Sequence, residues 1–298
     1  MDTGKIEKYA QELFEAERAR RTVTPISERD PSFGVDDAYA VQMANIKRAL
    51  AMGHKISGKK IGLTSPGIQR QLGVNEPDYG HLFCAMDCGG DGRIDTGALI
   101  QPKIEAEIAF ILKKDLRGGN VGVTDVINAT DYVVAAFEIV DSRIADWRLT
   151  LQDTVADNAS SGRYILGGAK IAIGAINLPS VAMKLYKITG GGGNSGGGNG
   201  GGGNGAGKNG ASKGNGGGCV SGNGYKMELV AEGLGSAVMG NPIISVAWLA
   251  NKLWRYGVAL QAGEVVLSGA FSAAPAAKKG DVFKAAFDGI GGVEARFV

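Results

Sequence analysis

Two hydrophobic periods alternate along the chain. Ile6, Tyr9, Ala10, Leu13 and Phe14 recur at i, i+3, i+4, i+7 and i+8, which predicts an amphipathic helix over 4–20. Thr24-Pro25 and Asp30-Pro31 end it in an extended connector. A second helix follows, capped by Asp36, with Tyr39, Met43, Ile46 and Leu50 as its apolar stripe and Gly53 as its stop. Ser57 to Ser65 reads as a short glycine-flanked strand whose two lysines, Lys59 and Lys60, should point one to solvent and one inward. Residues 66–72 form a short helix ended by Gly73, and Asn75 to Gly80 a turn, with Asp78 bonding its own backbone.

The period then changes to two. In Lys103-Ile-Glu-Ala-Glu-Ile-Ala-Phe110, apolar Ile104, Ala106, Ile108 and Phe110 alternate with the other positions, as in a half-buried strand. A short helix over 124–129 leads to a second apolar strand, Tyr132 to Val140, holding one charge, Glu138. Asp153 to Gly162 is small and polar, suited to a loop that approaches a ligand closely. Strands over 180–188 and 225–233 flank a tract, 190–224, that is more than half glycine and reads as a flexible coil at a hairpin tip. Asn241-Pro242 opens a helix with Val246, Leu249, Leu253 and Trp254 on its buried face and Gly257 at its end. Strands over 264–269, 280–287 and 292–298, punctuated by Gly-Asp and Asp-Gly turns, complete a curved mixed sheet. The class is α+β.

Composition mainly excludes. A chain of 298 residues with 32 Lys+Arg against 30 Asp+Glu has no basic block for nucleic acid. No apolar run reaches membrane-span length, and Met1 to Arg21 is charged throughout, so a soluble cytoplasmic protein is expected. Cys84 and Cys88, with only His54 and His81 to complete a zinc site, read as reduced thiols, and Cys219 lies inside the glycine-rich tract. The candidate chemistry is acidic. Glu105 and Glu107 share one strand face about 7 Å apart, and two carboxylates on an apolar strand call for a cation. Glu138 needs a partner too: either Arg143, or the same cation.

Gly58-Lys-Lys-Ile-Gly-Leu-Thr-Ser65, Glu76-Pro-Asp-Tyr-Gly80, Gln101 to Phe110, Phe137-Glu-Ile-Val-Asp-Ser-Arg143 and Asp157-Asn-Ala-Ser-Ser-Gly162 together resemble the fumarylacetoacetate hydrolase superfamily. Within it they are most similar to the 2-hydroxypenta-2,4-dienoate (2-oxopent-4-enoate) hydratases of aromatic meta-cleavage catabolism. The resemblance covers nearly the whole chain except the glycine-rich tract. It implies a smaller N-terminal α/β portion over 1–80 and a mixed β-sheet or barrel catalytic domain over 81–298, with homo-oligomers and association with a pathway enzyme. It further implies Glu105, Glu107 and Glu138 as metal ligands, Lys60 and Asp78 as acid/base groups, and Ser160 at the substrate pocket.

Three carboxylates favour Mg²⁺ or Mn²⁺ over zinc and leave positions for a chelating 2-oxo acid, whose developing negative charge the metal would stabilise. Lys60 is the expected proton shuttle, its pKa lowered beside the cation, and Asp78 would orient Lys60 or the water. The expected reaction is hydration of 2-hydroxypenta-2,4-dienoate to 4-hydroxy-2-oxopentanoate. The rivals are a 2-oxo-3-enedioate (4-oxalocrotonate) decarboxylase, an acylpyruvate-type C–C hydrolase, and a non-catalytic partner subunit. The C–C hydrolase lacks a convincing His–Glu base, and the intact acidic residues and Lys60 argue against a non-catalytic subunit.

Overall fold

In a computed structural model, which describes residues 2–189 and 226–298, seven helices surround two β-sheets. The helices are α1 (Thr3–Ala19), α2 (Ile26–Arg29), α3 (Val35–Ala51), α4 (Pro66–Leu72), α5 (Val123–Ala129), α6 (Leu151–Ala156) and α7 (Pro242–Trp254). The strands are β1 (Ile56–Gly62), β2 (Asp78–Phe83), β3 (Arg93–Ile94), β4 (Lys103–Leu112), β5 (Thr130–Val140), β6 (Ser161–Leu166), β7 (Ala182–Thr189), β8 (Lys226–Leu234), β9 (Val265–Leu267), β10 (Val282–Phe287) and β11 (Gly291–Phe297). The expectations for 190–224, including Cys219, lie outside the described residues.

The six-stranded sheet runs β2-β1-β9-β4-β5-β6 and the five-stranded sheet β3-β11-β10-β7-β8. Both are mixed: β1 pairs parallel to β9, and β3 parallel to β11, while the other pairings are antiparallel. The two strands expected on either side of the glycine-rich tract are β7 and β8, which pair antiparallel, with Ala182 opposite Leu234 and Thr189 opposite Lys226. The main core takes Ile104, Ala106, Ile108 and Phe110 from one face of β4, Phe137 and Ile139 from β5, Phe283 and Phe297 from the second sheet, Tyr9, Ala10 and Leu13 of α1, Tyr39 of α3 and Val246, Leu249 and Leu253 of α7. Ile46 of α3 packs in a second cluster with Leu82, Ala109 and Tyr164. The period-two pattern of β4 thus sends its large apolar side chains to this core and leaves Glu105 and Glu107 on the opposite face.

Several details depart from the sequence reading. Helix α3 opens at Val35 with Gly34 in the cap position, and Asp37, not Asp36, accepts the Gly34 N–H at 3.2 Å. Leu50 and Trp254, near the ends of their helices, are exposed, although Leu253 beside Trp254 is buried in the core. Lys59 does not reach solvent; both lysines are buried. The six-stranded sheet is covered on both faces, so Lys59, pointing away from Lys60, is ion-paired with Glu264. The stretch 75–80 is only partly a turn, since β2 begins at Asp78. The stretch 153–162 begins as helix α6, whose Thr150 cap and Asp153 bond each other's backbone N–H in a capping box.

Candidate metal centre

The cross-strand register assembles the acidic cluster. Glu105 of β4 lies directly opposite Glu138 of β5, so the two project from the same face. Glu107, two residues along β4, joins them. One carboxylate oxygen from each falls within 4.8 Å of the others. Glu107 and Glu138 are fully buried, and Glu105 is half-buried. Glu107 Oε2 accepts the Gly269 N–H at 2.7 Å, but Glu107 Oε1 and both Glu138 oxygens are buried without a hydrogen bond. Burial, then mutual repulsion, drives the carboxyl pKa values up: Glu107 well above the usual range and Glu138 to about 8, with Lys60 opposing the rise. Glu105 is raised as well, by burial first. Buried, under-bonded and mutually repelling oxygens are what a hard divalent cation neutralises, so the donor set fits such an ion.

Arg143 is not the partner of Glu138. Its guanidinium instead grips Asp157, with Nε to Oδ1 at 2.5 Å, and the carbonyls of Asp141 and Ser161 at 2.6 and 3.0 Å. The Arg143 N–H and the Ser142 hydroxyl bond the second Asp157 oxygen. This buried network ties the end of β5 to the 157–161 turn.

Lys60, near the end of β1, is the cation that does reach Glu138, at 3.4 Å. Its Nζ also donates to the Ala159 carbonyl at 3.0 Å. Burial alone would lower the Lys60 pKa; the carboxylates of Glu138, Asp78, Glu105 and Glu107 outweigh it and hold the ammonium above the ordinary lysine range. The protein's own charges therefore push Lys60 the opposite way from the fall expected beside a cation.

Asp78 sits opposite Gly62 across the β1–β2 ladder. It is buried, accepts from Thr154 Oγ1 at 2.9 Å, and has its pKa raised by burial. A Cβ at Gly62 would drive into Asp78 Oδ1 and stand 3.2 Å from Lys60 Nζ, so the missing side chain is what lets both groups share one gap. Ser160 is buried too, but its hydroxyl is 3.4 Å from Asp157 Oδ2, on the Arg143 side of the turn.

The Ala159 carbonyl, Gly62, Thr154 and the Gly269 N–H escape the sequence reading. Only Thr154 had a local signal, the Thr150-x-x-Asp153 box that predicts its helix. A cavity of about 500 Å³ between α1, α3 and β2 reaches the far side of the 157–161 turn; Glu105, Glu107, Glu138, Lys60 and Asp78 do not line it. Cys84 and Cys88 are free thiols, outside the acidic cluster. Among the described residues, no helix is long and apolar enough to cross a membrane.

Residues 92–298 match the family model for the fumarylacetoacetate (FAA) hydrolase C-terminal region. The chain is 40% identical over 291 residues to a 2-keto-4-pentenoate hydratase of Paraburkholderia xenovorans (strain LB400), covering 98% of this chain and 94% of that protein. It is 38% identical over 294 residues to a 2-hydroxyhexa-2,4-dienoate hydratase of Comamonas testosteroni, covering 98% and 97%. The structure of 4-oxalocrotonate decarboxylase from Pseudomonas putida G7, complexed with magnesium and adipate, aligns over 100% of this chain and 99% of that one, with a TM-score of 0.84 and 32% identity. The same decarboxylase has also been seen with calcium and acetate. With a matched family model, relatives alike from end to end, and an acidic cluster set on facing strands, the chain belongs to the fumarylacetoacetate hydrolase family.

Proposed function

We propose that the protein is a divalent-metal-dependent hydro-lyase that adds water to 2-hydroxypenta-2,4-dienoate, giving 4-hydroxy-2-oxopentanoate, in the meta-cleavage breakdown of aromatic compounds. One observation carries the chemistry: a buried lysine stands 3.4 Å from one of three clustered carboxylates. The two hydratases named above carry the choice of reaction. Glu105, Glu107 and Glu138 would hold Mg²⁺ or Mn²⁺, which supplies Lewis-acid stabilisation of charge on the 2-oxo oxygen.

The chain's own groups handle protons. In the first stage the substrate's 2-hydroxyl loses a proton and C5 gains one, moving the double bond to C3–C4. In the second, water adds its oxygen at C4 and a proton reaches C3. Lys60 Nζ, held between Glu138 and the Ala159 carbonyl, is the shuttle for these transfers. Asp78, fixed by Thr154, orients the ammonium or the attacking water. The buried surroundings of both groups strengthen these interactions by excluding bulk water. Ser160 acts from behind the turn, where its hydroxyl meets Asp157.

The same groups suit decarboxylation of 4-oxalocrotonate, a second reading favoured by the fold match to that decarboxylase. Large apolar side chains exposed at the ends of α3 and α7, Met52, Trp254 and Tyr256, support a homo-oligomer, and the bacterial hydratase relatives support a cytoplasmic place. The test is turnover of both substrates by the purified protein with Mg²⁺ or Mn²⁺, following dienoate absorbance, CO₂ release and the product. Lys60→Ala should lose about 10²- to 10⁴-fold in turnover with metal content intact. Near-wild-type turnover by that variant would remove Lys60 from the mechanism, and CO₂ release without hydration would select the decarboxylase.

A further inference from the structure

We propose that Asn158 is the positioning residue that aims the Lys60 ammonium beside Asp78, by clamping the turn that receives Lys60 Nζ onto the edge of the strand that carries Asp78. This deepens the hydro-lyase reading and rests on the acid/base roles given there. Strand β2 is at the edge of its sheet, so at His81 a backbone N–H and C=O face away from β1. Left buried and unpaired, both would be costly. The Asn158 side chain answers both: its Oδ1 accepts the His81 N–H at 2.7 Å, and its Nδ2 donates to the His81 carbonyl at 2.9 Å. One amide thus serves as a one-residue strand. Buried Gln42 makes a neighbouring stitch, its Nε2 donating to the carbonyls of Tyr79 at 3.0 Å and Val155 at 2.9 Å.

The clamp holds an unfavourable backbone. Asn158, Ala159 and Ser160 have φ of 53°, 51° and 54°, three successive non-glycine residues in the left-handed region. Left-handed helical residues cost about 1–2 kcal/mol each, and Asn tolerates the region best of the three. This conformation presents the Ala159 carbonyl to Lys60 Nζ. Asn158 is the first residue of that turn, so its side chain and the Lys60 acceptor are one residue apart on a rigid unit. Gly80 is part of the device, because a Cβ there would collide with the Asn158 carbonyl and press the turn off β2. The Asp157–Arg143 network holds the other side of the turn but touches neither β2 nor Lys60. Thr154 and Gln42 tie the preceding helix to β2, and Asn158 is the side chain that ties the left-handed turn itself, with Lys60's acceptor, to Asp78's strand; the metal ligands stand on β4 and β5.

The test is Asn158→Gly, which keeps the left-handed backbone at no steric cost and removes only the clamp. Wild type and variant are compared for kcat and KM on 2-hydroxypenta-2,4-dienoate, Mn²⁺ affinity, hydrogen exchange at the His81 amide, and the NMR signal of the Lys60 ammonium. A displaced proton shuttle should cost about 10- to 100-fold in kcat, with KM and Mn²⁺ affinity within about twofold of wild type. The His81 amide should exchange faster and the Lys60 signal should shift. The proposal is overturned if kcat stays within twofold of wild type, if the Lys60 signal does not move, or if Mn²⁺ affinity collapses together with kcat. The exchange and NMR readouts need no substrate, so they decide the positioning role even if wild type proves not to hydrate the dienoate. If the glycine variant does not fold, Asn158→Asp takes its place: it tolerates the same φ, keeps the acceptor for the His81 N–H, loses the donor to the His81 carbonyl, and is judged by the same kcat, Mn²⁺ and Lys60 thresholds.

Discussion

Replacing Glu138 with glutamine should stabilise the protein stripped of divalent metal while abolishing its stabilisation by added metal. The ligand oxygens of Glu105, Glu107 and Glu138 lie within 4.8 Å of one another. At a pH high enough to ionise all three raised carboxyls, and at an effective dielectric constant of about 20, each pair repels by about 3.5 kcal/mol. Glu138 takes part in two such pairs, and Lys60 at 3.4 Å offsets them by about 5 kcal/mol on the same scale. Glu138→Gln, nearly isosteric, removes both repulsions and the one attraction, for a net gain of about 2 kcal/mol. For a chain of this size that corresponds to a melting temperature higher by roughly 4–6 °C. Wild type in Mg²⁺ or Mn²⁺ at about 100 times its dissociation constant should gain about 2.7 kcal/mol, since only the folded state assembles the site. The variant should gain almost nothing. Thermal melts of chelator-treated wild type and Glu138→Gln, each with and without metal and at a pH above the raised Glu138 value of about 8, measure all four states. If the metal-free variant melts below wild type and wild type ignores added metal, the carboxylates are not an unrelieved charge cluster and the metal centre is wrong.

Two further outcomes follow from other parts of the structure. Gly62→Ala would force a Cβ into Asp78 Oδ1 and to 3.2 Å from Lys60 Nζ. It should cost about 1–3 kcal/mol in urea unfolding and remove most turnover at unchanged Mn²⁺ affinity; full activity would mean that Asp78 and Lys60 do not work from that gap. Asp30 accepts from the Ser32 hydroxyl at 2.6 Å and from Lys5 and Tyr9, each at 3.1 Å, and these bonds hold its carboxyl well below the ordinary value of 3.8. A carboxyl with a depressed folded-state pKa contributes stability above its unfolded pKa and loses it as pH falls towards the folded one. The urea midpoint should therefore fall from about pH 4 downward, and Asp30→Asn should flatten that acid limb; an unchanged limb would assign acid sensitivity elsewhere.

Local chemistry determined a large part of this protein before any fold was considered. The helical stripe of Tyr9, Ala10 and Leu13, the Asn241-Pro242 helix start and the alternation of 103–110 depend on neighbours a few residues away, so they were readable directly. Asn241 indeed accepts the Ile243 N–H at 3.0 Å. The motifs also exposed Glu105, Glu107 and Glu138 as unusual charges in apolar runs. Register and distance were not readable. That Glu105 faces Glu138, that Arg143 chooses Asp157, and that Lys59 is buried against Glu264 are settled by strand pairing and by what covers each sheet face. The same holds for the Ala159 carbonyl, an ordinary backbone oxygen that becomes the Lys60 partner only because a left-handed turn is packed against β2. Periodicity sets which face of its own strand a side chain occupies; only the tertiary structure decides which partner waits there, because pairing energies are summed over contacts far apart in the chain.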